Sequence, residues 1–224
     1  MNIVITGASR GIGKTLAEIF HQHGHRVVIC SRDEHKWDAL PAEIIKFKCD
    51  ISIKSDVKDF AAFVLKTFDK VDVLINNGGV FIPRKLTEED DSVLPHLIET
   101  NLYSAYFLTK ALLPNFISNQ NGFIFNMCSV ASLQAYPSGG SYSISKFALL
   151  GFSKALREEL KEYNIKVTSV LPGATYTDSW AETDLPKSRF GKAEDVAKLV
   201  YDITQLSSFS VVEDIVIRPQ LGDI

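Results

Sequence analysis

The chain has 224 residues, 46% of them hydrophobic and 23% charged, with a formal net charge of −3. This is ordinary globular usage and excludes a disordered chain. The charge balance gives no electrostatic reason to bind nucleic acid or an anionic membrane, and no apolar run approaches a bilayer span.

Met1-Asn2 lead directly into a β-branched run at 3–6, and further apolar runs follow at 26–31, 44–48, 71–76, 122–127, 166–171 and 214–217. Segments of helical period lie between them at 11–23, 53–68, 88–118, 141–163 and 193–206. The alternation predicts repeated βαβ units in one α/β domain over 1–224. A doubly wound (Rossmann) parallel sheet of about seven strands, covered by helices on both faces, is the expected architecture. The segment 88–118 is expected to break near Pro95 and to end near Pro114. Only 12 residues separate the second run from the third, so that connection holds a short helix or none. The polar stretch 176–191, with Trp180 as its apolar outlier, follows a strand, where a substrate lid would sit. The three cysteines, Cys30, Cys49 and Cys128, lack CxxC spacing and end apolar runs. Buried free thiols are expected there, in a cytoplasmic protein with no metal site.

The first strand opens into Thr6-Gly7-Ala8-Ser9-Arg10-Gly11-Ile12-Gly13 and then the first helix. Three glycines at a strand-to-helix turn permit a tight turn and close backbone approach, and the free N–H groups of the helix end face a pyrophosphate. The spacing is GxxxGxG, which also fits an ordinary structural turn. At the end of the second strand stands Ser31-Arg32, where an NAD-binding protein places a carboxylate. A guanidinium there, with Arg10 in the glycine loop, matches the 2′-phosphate of NADP. Asp33, one residue on, takes the NAD role if the strand ends a residue later.

Tyr142 and Lys146 lie one helical turn apart, so their side chains emerge from one face. A cation beside a phenol lowers its pKa and makes it a general acid for a carbonyl oxygen or a base for an alcohol. Such a pair alone is usually a solvated helix face. Ser129 follows the strand at 122–127, at the end where open α/β sheets bind ligands. Its hydroxyl can bond the oxygen that Tyr142 protonates, or merely cap the strand end. Asn101 is a poor helix former inside a helical segment, either functional or a plain polar neighbour.

In order along the chain, these motifs are TGASRGIG at 6–13, Cys49-Asp50-Ile51, Asn76-Asn77-Gly78-Gly79, Asn101, Ser129, Tyr142-xxx-Lys146 and Pro172-Gly173. From Met1 to about Leu206 the chain resembles the short-chain dehydrogenase/reductase family. The resemblance implies an oxidoreductase that transfers a hydride between NADP(H), or NAD(H), and a carbonyl or secondary alcohol. Tyr142 would be the acid/base, and Ser129 would orient the substrate oxygen. Lys146 would hold the nicotinamide ribose and lower the Tyr142 pKa, while Asn101 would hold a water of a proton relay. Gly7, Ser9, Arg10, Gly11, Ile12 and Gly13 would cradle the pyrophosphate, and Arg32 would meet the adenosine ribose. Asp50 and Ile51 would contact adenine, and Asn76, Asn77 and Gly78 would line the adenosine side. Pro172, Gly173, Thr175 and Thr177 would fix the carboxamide. Phe81, Ile82, Leu133, Tyr136 and Trp180 are candidates for the substrate pocket. The substrate is a small molecule, and a homodimer or homotetramer through the helices at 88–118 and 141–163 is implied.

Three departures from the family pattern stand out: Asn-Asn-Gly-Gly for Asn-Asn-Ala-Gly, the short connection between the second and third strands, and the ending Ile215-Val216-Ile217-Arg218-Pro219-Gln220 in place of the glycine-rich ending of many relatives. An alternative of another class is a cofactor-binding regulatory or scaffold protein, which loss of Ser129, Tyr142 or Lys146 would favour; all three are present. An isomerase or epimerase of the extended relatives would carry a larger C-terminal domain.

Overall fold

The computed structural model describes residues 1–180 and 183–224. Among these, seven strands form one parallel sheet: β1 (Asn2–Thr6), β2 (Arg26–Ser31), β3 (Ile45–Lys48), β4 (Val73–Asn76), β5 (Gly122–Met127), β6 (Ile165–Pro172) and β7 (Asp214–Ile217). The order across the sheet is β3-β2-β1-β4-β5-β6-β7. The chain winds outward from β1 to β3, then crosses to β4 and winds the other way. The carboxyl ends of β1 and β4 therefore diverge and leave a crevice, the switch point where such sheets take ligands.

Six α-helices cover the sheet among the described residues: α1 (Gly11–Gln22), α2 (Lys54–Thr67), α3 (Val93–Ile98), α4 (Ser104–Asn119), α5 (Gly140–Leu160) and α6 (Ala193–Thr204). Side-chain alternation along each strand supplies both helix layers. Ile3 and Ile5 of β1 pack with Leu16, Phe20 and Val200 from α1 and α6. Val4 between them packs with Phe60, Leu112, Phe116 and Leu156 from α2, α4 and α5. Each such side chain, removed from water, contributes about 1.5–3 kcal/mol. The sheet is thus packed from both sides, which leaves the loops at its carboxyl edge to line the crevice.

The region expected as one helix at 88–118 differs in two ways. Pro95 does not break it: Pro95 is the third residue of α3, in the first turn, where no intrahelical N–H bond is lost. The irregularity lies instead at Glu99–Tyr103, a π-helical turn that buries Thr100 and Asn101. Pro114 does not end α4, which continues to Asn119. Pro114 sits on the exposed side of α4, and Lys110, whose carbonyl loses its helical N–H partner, is exposed too, while Leu112 and Phe116 anchor the helix through it. Between β2 and β3 the chain makes only a short 3-10 helix, Glu34–Ala39. The three cysteines are free and buried, and no helix among the described residues is long and apolar enough to cross a membrane.

Candidate active site

Two adjoining cavities open at the carboxyl edge of the sheet, of about 330 Å³ and about 520 Å³. They share Ile12, Asn77, Gly79, Val80 and Thr177, so together they form one groove across the switch point. The smaller part holds the glycine loop and the ends of β2 and β3; the larger holds Ser129, Tyr142 and Lys146.

The glycine loop is locked by backbone and by Asn77. Gly7 has φ 65°, the left-handed region, and a Cβ there would stand 2.6 Å from the Gly78 Cα. The Gly7 N–H donates to the Cys30 carbonyl at 2.9 Å. Asn77 Nδ2 donates to the carbonyls of Thr6 and Gly7, each at 3.0 Å, and the Gly78 N–H donates to Thr6 Oγ1 at 2.9 Å. The loops after β1 and β4 are therefore one unit. Ser9, Arg10, Gly11, Ile12, Gly13 and Gly78 line the groove as expected, with Asp50 and Ile51 opposite. Asn76 does not line it. Its side chain is buried beneath the loop, where Nδ2 donates to Thr109 Oγ1 and Asn126 Oδ1. The last residue of a strand covered on both faces points into one helix layer, and here that layer holds a polar network continuing from Asn126 to Ser153 at 2.8 Å.

At the far end three cations face two carboxylates. Arg32 lies 3.9 Å from Asp50, Arg10 3.8 Å from Asp178, and Lys36 3.6 Å from the same Asp178. Asp33 is turned to local use, accepting from the His35 N–H at 3.1 Å at the start of the 3-10 helix. The Ser31 hydroxyl, expected beside Arg32, instead accepts from the Trp37 indole at 2.6 Å. The third cation of this end is Lys36, which the sequence reading missed. The short connection after β2 was the available signal, since any residue in it returns over the carboxyl edge.

Ser129 stands at the end of β5, with its Oγ accepting from the Ala131 N–H at 3.1 Å. Tyr142, in the first turn of α5, is within hydrogen-bonding reach of Ser129. Burial pushes the Tyr142 phenol up to about 12; the Ser129 bond opposes the rise and Cys128 adds to it. Lys146 is buried and donates to the Met127 carbonyl at 2.8 Å, with its ammonium lowered to about 8 by desolvation. The rise at the phenol comes from loss of solvent, whereas Lys146 Nζ stands 5.8 Å from the Tyr142 ring centroid and is bound to a carbonyl. Asn101 is spent on structure: Oδ1 accepts from the Val80 N–H at 2.8 Å, and Nδ2 donates to the Val80 carbonyl and Ser145 Oγ, each at 3.0 Å. It ties the π-turn, the groove wall and α5 together.

Pro172, Gly173, Thr175 and Thr177 line the larger cavity. The Gly173 N–H donates to the Ile217 carbonyl at 2.8 Å, and Thr175 Oγ1 to the Gly173 carbonyl at 3.0 Å. Phe81, Tyr136 and Trp180 line the cavity, whereas Ile82 and Leu133 do not; Leu133 points outward, 47% exposed. Phe81 packs edge-on to Tyr142 with centroids 4.8 Å apart. Residues 181 and 182 of the expected lid lie outside the described residues; around them, Trp180 packs on Phe190 and Thr175 bridges Gly191. The ending with Arg218, a departure noted in the sequence, supplies one wall: Arg218 pairs with Asp223, and both border the cavity.

The short chain dehydrogenase family model matches residues 1–187. The chain is 30% identical over 242 residues to a sepiapterin reductase of Chlorobaculum tepidum, covering 99% of this chain and 97% of that protein. It is 29% identical over 223 residues to an uncharacterized oxidoreductase of Staphylococcus epidermidis, covering 96% of each. A solved metagenomic short-chain oxidoreductase in complex with NADP superposes with a TM-score of 0.86 at 30% identity, over 99% of this chain and 98% of that one. An alcohol dehydrogenase from the archaeon Thermococcus sibiricus, complexed with 5-hydroxy-NADP, gives a TM-score of 0.88 at 25% identity, over 100% and 98%. The chain belongs to the short-chain dehydrogenase family of oxidoreductases.

Proposed function

We propose that the protein is an NADP(H)-dependent oxidoreductase that interconverts a small-molecule carbonyl and the corresponding secondary alcohol. The observation that carries this is the placement of Ser129, Tyr142 and Lys146 in one cavity continuous with the glycine-loop groove. The groove fits a dinucleotide on its own chemistry. Gly7 leaves room where a side chain would collide, the N-terminus of α1 faces the groove, and the far end offers Arg10, Arg32 and Lys36. Relatives of known structure hold NADP or a derivative of it, which supports the same cofactor here.

In this function, Gly7, Ser9, Arg10, Gly11, Ile12 and Gly13 hold the pyrophosphate, with Asn77 bracing the loop. Arg10, Arg32 and Lys36 hold a 2′-phosphate, Asp50 and Ile51 the adenine, and Pro172, Gly173, Thr175 and Thr177 the carboxamide. When bound, the nicotinamide supplies or accepts the hydride. Tyr142, protonated throughout the neutral range by its burial, donates a proton to the substrate oxygen, and Ser129 holds that oxygen beside it. Lys146 binds ribose hydroxyls and replenishes the Tyr142 proton, while Asn101 keeps the wall at Val80 and α5 in register for a water-mediated relay. Phe81, Tyr136 and Trp180 offer an apolar aromatic wall to the substrate. A buried lysine with a lowered pKa beside a buried tyrosine is costly to maintain, which favours catalysis over a scaffold role. We place the enzyme in the cytoplasm as a homodimer or homotetramer, with Tyr103, Tyr106, Ile144 and Phe147 on the exposed faces of the expected interface helices.

Absorbance assays with a panel of ketones, aldehydes and alcohols, run with NADPH and with NADH, test this. NADPH should give the higher kcat/KM, and Arg32→Asp should erase the preference. A charge-assisted contact of about 1.5–3 kcal/mol corresponds to a tenfold to hundredfold ratio. A wild-type enzyme that prefers NADH would assign the discriminating role to Asp33.

A further inference from the structure

The loop between β4 and α3 grips the catalytic helix at two points. Near its start, Phe81 packs on the Tyr142 ring. Near its end, Glu89 turns inward while its neighbours Glu88 and Asp90 face solvent. The Glu89 carboxylate accepts from the Ser141 N–H at 2.9 and 3.2 Å and also from the Ser141 hydroxyl. Ser141 directly precedes Tyr142.

α5 has no cap of its own. Gly139 offers no side-chain acceptor, and the first turn contains no acidic residue. A long helix of this kind leaves several N–H groups unpaired at its start, with a partial positive charge there. Glu89, 52 residues upstream, supplies both the acceptor and the countercharge. Its seat is shaped for it, since a Cβ on Gly140 would overlap the Glu89 Oε1 and crowd the Arg84 carbonyl. The Glu89 contacts lie outside the groove: neither Glu89 nor Ser141 lines either cavity.

We propose that Glu89 is a positioning residue for Tyr142: its carboxylate fixes the first turn of α5 so that the phenol stays against Ser129. The proposal rests on the assignment of Tyr142 as acid/base. Its physical warrant is the steep dependence of catalysis on placement, in which about 1 Å of misplacement can cost on the order of 10²-fold.

Glu89→Ala, Glu89→Gln and Ser141→Ala are compared with wild type by steady-state rates, calorimetric cofactor binding and hydrogen exchange of amides 141–143. Glu89→Ala should lower kcat about tenfold or more, with cofactor Kd within about twofold of wild type. Glu89→Gln keeps an oxygen acceptor for the Ser141 N–H and should recover most of the loss; Ser141→Ala should fall between. Should Glu89→Ala fail to fold, the Gln and Ser141 variants carry the test. A kcat unchanged in all variants, a Gln variant no better than Ala, or kcat and cofactor affinity falling together would overturn the proposal. Exchange at 141–143 should quicken in Glu89→Ala relative to Glu89→Gln, and equal exchange would overturn it too. That readout needs no turnover, so it separates failure here from failure of the Tyr142 assignment, which Tyr142→Phe in the same assays reports.

Discussion

Two glycines in helices, Gly13 and Gly151, invite the same substitution and should answer with opposite signs. Helix propensity alone favours alanine over glycine by about 1 kcal/mol at both sites. At Gly151 of α5 nothing lies within 4 Å of the position a Cβ would take, so Gly151→Ala should gain about 0.5–1 kcal/mol. At Gly13 of α1 a Cβ would collide with the Gly7 carbonyl oxygen and Asn77 Nδ2 and stand 3.0 Å from the Ala8 Cα. Two of these three neighbours are backbone atoms of the glycine loop, and the third is the side chain that holds the loop. Asn77 Nδ2 would give up its bonds to the Thr6 and Gly7 carbonyls, each at 3.0 Å. Two hydrogen bonds at about 0.5–1.5 kcal/mol each, with overpacking of about 1–3 kcal/mol, exceed the propensity gain by roughly 1–5 kcal/mol. Because the strain falls on the loop, dinucleotide affinity should drop along with stability, by about tenfold for each 1.4 kcal/mol carried into binding. Urea denaturation of both variants beside calorimetric NADPH binding measures the two effects. A Gly13→Ala protein as stable as Gly151→Ala, with wild-type affinity, would refute the packing assigned to the loop.

Two further outcomes follow from the charges of the groove. Lys146 is depressed to about 8 when folded but recovers its ordinary value near 10.4 when unfolded, so the unfolded state binds more protons between those values. Stability should therefore rise with pH across that window, and Lys146→Met should lack this increment; urea midpoints at about pH 7.5 and 9.5 check it, and parallel pH dependences would contradict the burial of the ammonium. Asp178 holds Arg10 and Lys36, the cations assigned to the 2′-phosphate. Asp178→Asn should release them and tighten NADPH more than NADH in calorimetric titrations, and an equal change for both cofactors would place the phosphate elsewhere.

The strand runs were legible because a parallel sheet buried on both faces leaves them apolar throughout, and the helical segments because each buries one stripe. What was misread turned on single side chains. Pro114 looked like a helix stop, yet its position on the exposed side of α4 lets the helix run through. Asn76 and Asn77 are alike in sequence, but β4 ends between them: Asn76 points into the polar network under the sheet, Asn77 toward the glycine loop. Lys36 and Glu89 act through chain reversals that periodicity does not encode. The Tyr142–Lys146 spacing was sound as geometry, but its electrostatics depended on burial, which spacing cannot report.

The central claim, that Tyr142 delivers the proton in a reaction driven from the adjoining cofactor groove, is tested most directly by Tyr142→Phe. Phenylalanine keeps the ring against Phe81 and removes only the hydroxyl. At saturating NADPH, with a substrate found by the panel, turnover should fall by about 10²–10⁴-fold while the NADPH Kd stays within about twofold of wild type. Turnover within about tenfold of wild type would contradict the account, because general acid catalysis would then come from another group.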